Sequence, residues 1–387
     1  MKRLLARMDK KLFFTTLVLF IIGLIMIFSA STIASFMRYN VSTHYFFMKQ
    51  AISLVIGFIA FCIIINLPLK IYHKLIWPLV GILIIVLILL LAYGQAINKS
   101  VSWISIMGLF SIQPSEFAKI ILILFMAIYY ERNKKDLDKY QIVFTPPAIT
   151  LLIVVLVLAQ PDFGTAMIIA TLVFLTFLVV PINNEIKRQI IKLIIGIIIV
   201  VAMVILVSGR TILSSTQHER LNFTKPCDRY ETTGYHVCNG YISINNGGLL
   251  GVGLGNSTQK YSYLPYPHTD FIYAIVLEEL GLIFGLLFLG LMIYAVYRIM
   301  LVAKSSYNIT NFIIAYGVGI YILLHILINL TGILGLLPLT GIPLPFFSYG
   351  GSFALSLSIA LGFVQRAHIE NYNYRYKQKL KGKLKNI

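Results

Sequence analysis

Ten stretches of this chain are apolar over lengths close to the thickness of a bilayer, and that repetition constrains the fold more than any other feature. A spanning helix needs about 20 mostly apolar residues. Candidate cores are Phe13–Ile33, Ala51–Leu67, Leu75–Tyr93, Phe117–Tyr130, Val143–Ala159, Thr165–Val180, Ile190–Val207, Phe271–Val296, Phe312–Leu330 and Ser352–Phe363. The fourth and tenth are short and are expected to borrow residues from the loops before them. Only 12% of the 387 residues are charged, against about 25% in a soluble domain. The prediction is an all-α polytopic membrane protein with about ten transmembrane helices, residues 1–387 forming one transmembrane domain. The first core runs too long for a cleaved signal and ends without a small-residue cleavage site.

An even number of spans places both termini on one side, predicted to be cytoplasmic. In that orientation 23 of the 32 Lys and Arg residues fall in inner segments, the bias that sets topology. The formal charge of +18 therefore belongs to the inner loops and to a basic tail at 366–387. Such a tail suits anionic headgroups, and no nucleic acid is expected as a partner. The longest extramembrane piece, 208–270, lies between spans seven and eight on the outer side. Inner loops carry little besides Lys and Arg, so any chemistry faces outward, where no ATP is available and a substrate must arrive activated. Of three cysteines, Cys62 sits in the second span as packing. Cys227 and Cys238 share the outer loop, where a disulfide is permitted; two free thiols are the alternative.

Polar residues gather where outer segments meet the membrane. Three such segments combine proline or glycine with polar side chains: Ile112 to Lys119, Gln160 to Thr165, and Thr340 to Gly351. Irregular backbone at that depth is tolerated only when buried in protein or lining a wet cavity. Each alone could be a turn capping a helix; together with Asp270 they favour a common cavity. Glu116 and Lys119, spaced i, i+3, face the same way on a helix. They form either a self-satisfied ion pair or, with Asp162, a three-charge cluster suited to a phosphorylated headgroup.

An ionisable side chain at the membrane boundary is a functional-site hypothesis by default, and Asp270, just before the eighth span, is the foremost. It could equally cap that helix. Glu278 and Glu279 follow about two turns later on different faces. Glu278 is the better placed to share a cavity with Asp270, and one glutamate is expected to pair with another helix. His268 and Ser348, inside two of the polar segments, join Glu116, Lys119, Asp162 and Glu278 as candidates for holding substrate. His325 and Asn329, i and i+4 in the ninth span, read as an interhelical hydrogen-bonding pair. The glycine-rich run Asn246 to Asn256 lacks the strand and helix of a dinucleotide fingerprint. It reads as a tightly turned amphipathic segment on the outer surface, its amides a weak candidate for a lipid diphosphate.

Gln113-Pro114-Ser115-Glu116-Phe117-Ala118-Lys119, Pro161-Asp162-Phe163-Gly164-Thr165, Gly251 to Ser257, His268-Thr269-Asp270-Phe271 and Thr340 to Gly351 occur in the order and topology of one family. Over its whole length the chain resembles the SEDS proteins, the shape, elongation, division and sporulation proteins of bacterial cell-wall synthesis. Gly255 to Lys260 and Glu278-Glu279-Leu280-Gly281 are more similar to the division branch than to the elongation branch. The resemblance implies a peptidoglycan glycosyltransferase polymerising lipid II, the undecaprenyl-diphosphate-linked disaccharide peptide, on the outer face of the cytoplasmic membrane. It also implies a class B penicillin-binding transpeptidase and other divisome membrane proteins as partners, at the septum. The family's essential acid falls on Asp270. Two departures stand out: Tyr266-Pro267 replaces the family's Glu-Ala, and Val101-Ser102 precede Trp103 where an Arg is common.

On this reading Asp270 is the general base of an inverting transfer. Lys119 is the candidate for stabilising the diphosphate, with a divalent cation (Mg or Mn) held by outer carboxylates as the one cofactor to consider. The rival readings are a lipid II flippase, suggested by many spans and broken helices, and a non-catalytic divisome scaffold for the transpeptidase. Against the flippase, polarity is concentrated at the outer rim with little to match it on the inner half.

Overall fold

The computed structural model describes residues 7–93, 95–97, 100–106, 110–208, 225–231, 234–261 and 263–385. Ten long helices carry the ten apolar cores, none of which overruns its helix by more than two residues: α1 (Lys10–Tyr39), α2 (Tyr45–Asn66), α3 (Leu69–Tyr93), α4 (Pro114–Arg132), α5 (Tyr140–Ala159), α6 (Phe163–Leu178), α7 (Asn184–Ser208), α9 (Ile272–Lys304), α10 (Ile309–Ile333) and α11 (Gly351–Lys385). Among the described residues, seven helices are long and apolar enough to cross a membrane. Of the others, α6 has 16 residues, and α4 carries Glu116 and Lys119 near one end and Glu131 and Arg132 at the other.

The shortest cores resolve differently. Helix α4 starts at Pro114, where a missing N–H costs nothing because that donor would have no helical partner. It thus gains three residues from the preceding loop, as expected. The tenth core gains only Gly351 on that side. Its length comes from the other end, where α11 runs on to Lys385 and makes the basic tail helical from 366 to 385.

Packing follows apolarity. Helix α11 runs along α2, α9 lies against α10 and α1, and α10 packs on α4. The most enclosed elements are α4, α10 and the apolar part of α11. The first and last helices are clamped together at one end of the bundle: Asp9 N–H donates to Gln365 Oε1 at 2.9 Å, and Gln365 Nε2 donates to the Asp9 carbonyl at 3.0 Å. Asp9 also caps α1 through the Leu12 amide and pairs with Arg298 Nη2 at 2.6 Å.

Two loop regions carry structure that hydropathy did not reveal. Before α4, a small antiparallel sheet orders β1 (Gln95–Ile97), β2 (Ser100–Ile106) and β3 (Phe110–Ile112), with Ile104 opposite Ile112. Within 208–270 lie a 3-10 turn at Pro226–Arg229 and the amphipathic helix α8 (Tyr235–Gly247); residues 209–224 of that loop are outside the described set. Cys227 and Cys238 are bonded, tying the turn to the first turns of α8.

Helix α9 is broken. Gly281 has φ +80° and ψ 174°, a backbone conformation only glycine adopts readily. The glycine-rich segment repairs the break by lying alongside it. Val252 and Gly253 donate to the Glu278 and Glu279 carbonyls, both at 2.9 Å, while the Gly248 and Leu249 carbonyls accept from Leu282 and Ile283. Side-by-side backbone of this kind satisfies polar groups that an apolar surrounding cannot. The Val252 and Gly253 amides are therefore committed to α9, which corrects their reading as donors for a diphosphate.

Candidate active site

The turn before α9 is held by its carbonyls. Tyr349 N–H donates to His268 O at 2.9 Å. Ser348 Oγ donates to Thr269 O at 2.8 Å, and Asn329 Nδ2 to Asp270 O at 3.0 Å. Three consecutive peptide carbonyls are thus fixed from outside, by the 340–351 segment and by α10. The N-cap position of α9 is Phe271, which makes no side-chain cap bond, and Asp270 stands one residue before it. The residue is half-buried. Facing it is Gly341, where a Cβ would lie 3.6 Å from Asp270 Oδ2. Glycine at 341, with φ +71°, keeps that space beside the carboxylate clear.

Asn329 is bidentate in effect, since its Nδ2 also donates to Ile342 O at 2.9 Å. One turn earlier, His325 Nδ1 lies 3.1 Å from Pro343 O. Both side chains therefore grip loop carbonyls, and His325 also makes the interhelical contact expected of them, to Lys119 on α4. Ser348 closes the segment on itself by accepting from the Leu344 amide at 2.7 Å. Gln50 on α2 accepts from Gly350 N–H at 3.1 Å, and Ser352 at the start of α11 bridges the Ser111 carbonyl and the Gln113 amide, both at 3.0 Å. On the other side, a Cβ at Gly164 would stand 2.9 Å from the Thr340 carbonyl. The polar segments that lie far apart in sequence do converge around the Asp270 turn.

The candidate residues take distinct places within this convergence. His268 is buried and sits against the rings of Phe46 and Tyr349, at centroid separations of 4.4 and 5.6 Å. Ser348 is buried and occupied by its two backbone partners. Glu116 and Lys119 form a buried pair at 2.9 Å, and Lys119 Nζ also lies 3.0 Å from His325 Nε2. Asp162 caps α6, accepting from the Thr165 amide at 3.2 Å, while its other oxygen accepts from Gln113 Nε2 at 2.8 Å. The three-charge cluster is thus divided into a Glu116–Lys119–His325 group and a separate cap at Asp162.

Glu278 departs furthest from expectation. It is fully buried and accepts from Ser243 Oγ at 2.8 Å, Ser257 Oγ at 2.6 Å and Thr258 N–H and Oγ1 at 3.0 Å. Its carboxylate anchors α8 and the 257–259 segment to α9 and does not share an opening with Asp270. The physical reason is the broken helix: the segment that lies alongside the Gly281 break also brings 257–259 onto this face of α9. Glu279 is the glutamate that meets another helix. It pairs with Lys260 at 2.8 Å and accepts from Ser29 on α1 at 2.7 Å. A cavity of ≈ 370 Å³, with Ser29 and Lys260 in its wall, lies there between α1 and 254–261, apart from Asp270.

Among the described residues no group of three or more His, Cys, Asp or Glu side chains could hold a metal ion. Three of the carboxylates named for the site have protein partners: Glu116 has Lys119, Asp162 has Gln113, and Glu278 has hydroxyls and amides.

Sequence reading did not nominate Lys260, Asn329, His325 or Gln50 for the site. The signal available was weak: a lone Lys near the end of the polar outer loop, and two amide- or imidazole-bearing residues on an otherwise apolar span.

Fold and polar architecture define an all-α polytopic membrane protein with a carboxylate set in a tethered turn where several helices and loops meet. Residues 10–373 match the model of the cell cycle protein family of FtsW, RodA and SpoVE. The chain belongs to that family. It is 35% identical over 372 residues to the probable peptidoglycan glycosyltransferase FtsW of Bacillus subtilis, covering 94% of this chain and 91% of that one. It is 33% identical over 360 residues to stage V sporulation protein E of the same organism, covering 92% and 95%. Two solved structures share the fold at 23% identity, each covering 94% of this chain and 98% of its own. One is from work on a peptidoglycan synthase complex coordinating polymerization and crosslinking, with TM-score 0.74. The other is the rod shape determining protein RodA of Thermus thermophilus, with TM-score 0.66.

Proposed function

We propose that Asp270 is the general base with which this peptidoglycan glycosyltransferase polymerises lipid II on the outer face of the cytoplasmic membrane. The observation that carries the reading is the Asp270 turn: three consecutive carbonyls are tied down around a half-buried acid that a glycine faces. Rigid placement of a reacting group is what proximity catalysis requires.

In the reaction, the C4 hydroxyl of the acceptor's N-acetylglucosamine attacks C1 of the donor's N-acetylmuramic acid. Its proton passes to Asp270, the C1–oxygen bond to undecaprenyl diphosphate breaks with its electron pair, and the anomeric centre inverts. The diphosphate is already a good leaving group, so a base on the nucleophile's side is the larger need. Lys119 is held by Glu116 and His325 and is buried. Reaching a diphosphate would require that pair to open.

The division role is supported by the Gly255–Lys260 and Glu278–Gly281 sequences and by several relatives named FtsW. Partnership with a class B penicillin-binding transpeptidase, with other divisome membrane proteins and with the septum belongs to the same proposal. It is supported by the fold shared with a protein from a synthase complex.

The test is purified protein in liposomes with labelled lipid II. Base catalysis is worth about 10²–10⁴-fold, so Asp270→Asn should reduce glycan polymer by at least that lower figure while inserting normally. Wild-type translocation of lipid II without polymer would instead identify a flippase.

A further inference from the structure

His325 is fully buried in α10, its ring between Phe353 and Tyr321, each at a centroid separation of 4.8 Å. Its two nitrogens meet groups of opposite character. Nε2 lies 3.0 Å from Lys119 Nζ, which is also 2.9 Å from both oxygens of Glu116. An ammonium only donates, so Nε2 must be the unprotonated acceptor. Nδ1 then carries the hydrogen and donates to Pro343 O, 3.1 Å away. The contacts fix a neutral ring in one tautomer, which joins α4 to the 340–351 segment.

That segment is the wall opposite Asp270. Gly341 faces the carboxylate, Ile342 O is gripped by Asn329, and Asn329 also holds Asp270 O. Pro343 O comes next in the chain and is gripped by His325. Position 342 is thus set by a residue that also touches the Asp270 turn, whereas position 343 is set by a residue anchored to the Glu116–Lys119 pair. Without the imidazole, Pro343 O would lose this partner, and the segment facing Asp270 would lose its tie to the Glu116–Lys119 pair.

We propose that His325 is a positioning residue for glycosyl transfer, setting the 341–344 wall against Asp270 from the Glu116–Lys119 pair. The inference rests on the Asp270 reading. Displacing a reacting geometry by an ångström costs on the order of 10²-fold in rate. His325→Leu should therefore lower kcat for lipid II polymerisation by roughly that factor, with KM changed less than about threefold. His325→Gln offers an acceptor oxygen to Lys119 and an N–H to Pro343 O, and should recover most of the loss.

Asp270→Asn is assayed in parallel, with thermal unfolding in detergent to confirm that each variant is folded. A folded His325→Leu protein with wild-type kcat, or His325→Gln as slow as His325→Leu, overturns the inference, and either can occur with Asp270→Asn inactive. Normal polymerisation by Asp270→Asn overturns the base assignment instead.

Discussion

Lys260 Nζ lies 2.8 Å from Glu279 Oε1, and neither side chain is more than 3% exposed. Ser29 donates to the same carboxylate, so α1, α9 and the loop leading to Asp270 meet at one ion pair. Removing one partner of a buried pair leaves a charge without compensation, at a cost of about 3–5 kcal/mol. Lys260→Met should lower the unfolding temperature in detergent markedly. Adding Glu279→Gln should recover part of that loss, and strict additivity of the two changes would show that the pair is not coupled.

The break in α9 yields a second expectation. A Cβ at Gly281 would overlap the backbone of Leu249 to Gly251, at a φ that other residues avoid. Strain of that kind costs of order 1–3 kcal/mol before any clash is counted. Gly281→Ala should therefore reduce the yield of folded protein, measured by size-exclusion profile. Gly290→Ala, with nothing within 4 Å of the added carbon, should not.

Ser348 bridges the Leu344 amide and the Thr269 carbonyl. Ser348→Ala leaves a buried N–H without its acceptor, worth about 1–3 kcal/mol, and frees one of the three carbonyls that hold the Asp270 turn. Polymerisation by the folded variant should fall by roughly tenfold or more. Wild-type turnover in Ser348→Ala would mean that the turn is rigid without this tether.

The Cys227–Cys238 bond spans 11 positions. A loop this short gives less than about 3 kcal/mol by chain entropy. Reduction, or the Cys227→Ser/Cys238→Ser pair, should lower the unfolding temperature slightly and speed proteolysis around the 226–229 turn. Cleavage elsewhere should be unchanged.

Several of these features were legible before any coordinates. The spans follow from local apolarity, because a helix in hydrocarbon must satisfy its own backbone. Each predicted core lies within two residues of its helix, and the helices run up to eight residues beyond the cores, further only at α11, whose core was too short to show its own end. The motif segments were also visible as polar, proline- and glycine-bearing stretches at span boundaries. Their gathering on one face followed from topology alone, since each lay at the same end of an even-numbered run of helices. The i, i+3 spacing of Glu116 and Lys119 sufficed to predict that they face one another.

What the chain order could not reveal was which polar atom meets which. Glu278 was assigned toward Asp270 by helical angle, but Gly281 breaks the helix and the loop arrives on that face first. Asp162 shared a level with the Lys119 pair, yet its oxygens went to Gln113 and to its own helix start. Glu279 finds Ser29 at a sequence separation of 250, and Lys119 finds His325 at 206. Apolar periodicity is a property of one segment read alone, so the sequence by itself determined the helices and the polar segments at their ends. Hydrogen bonds depend on distances of a few ångströms between segments. Only the tertiary structure could decide that Glu278 and Glu279 are fully buried anchors while Asp270 stays half-buried in a tethered turn.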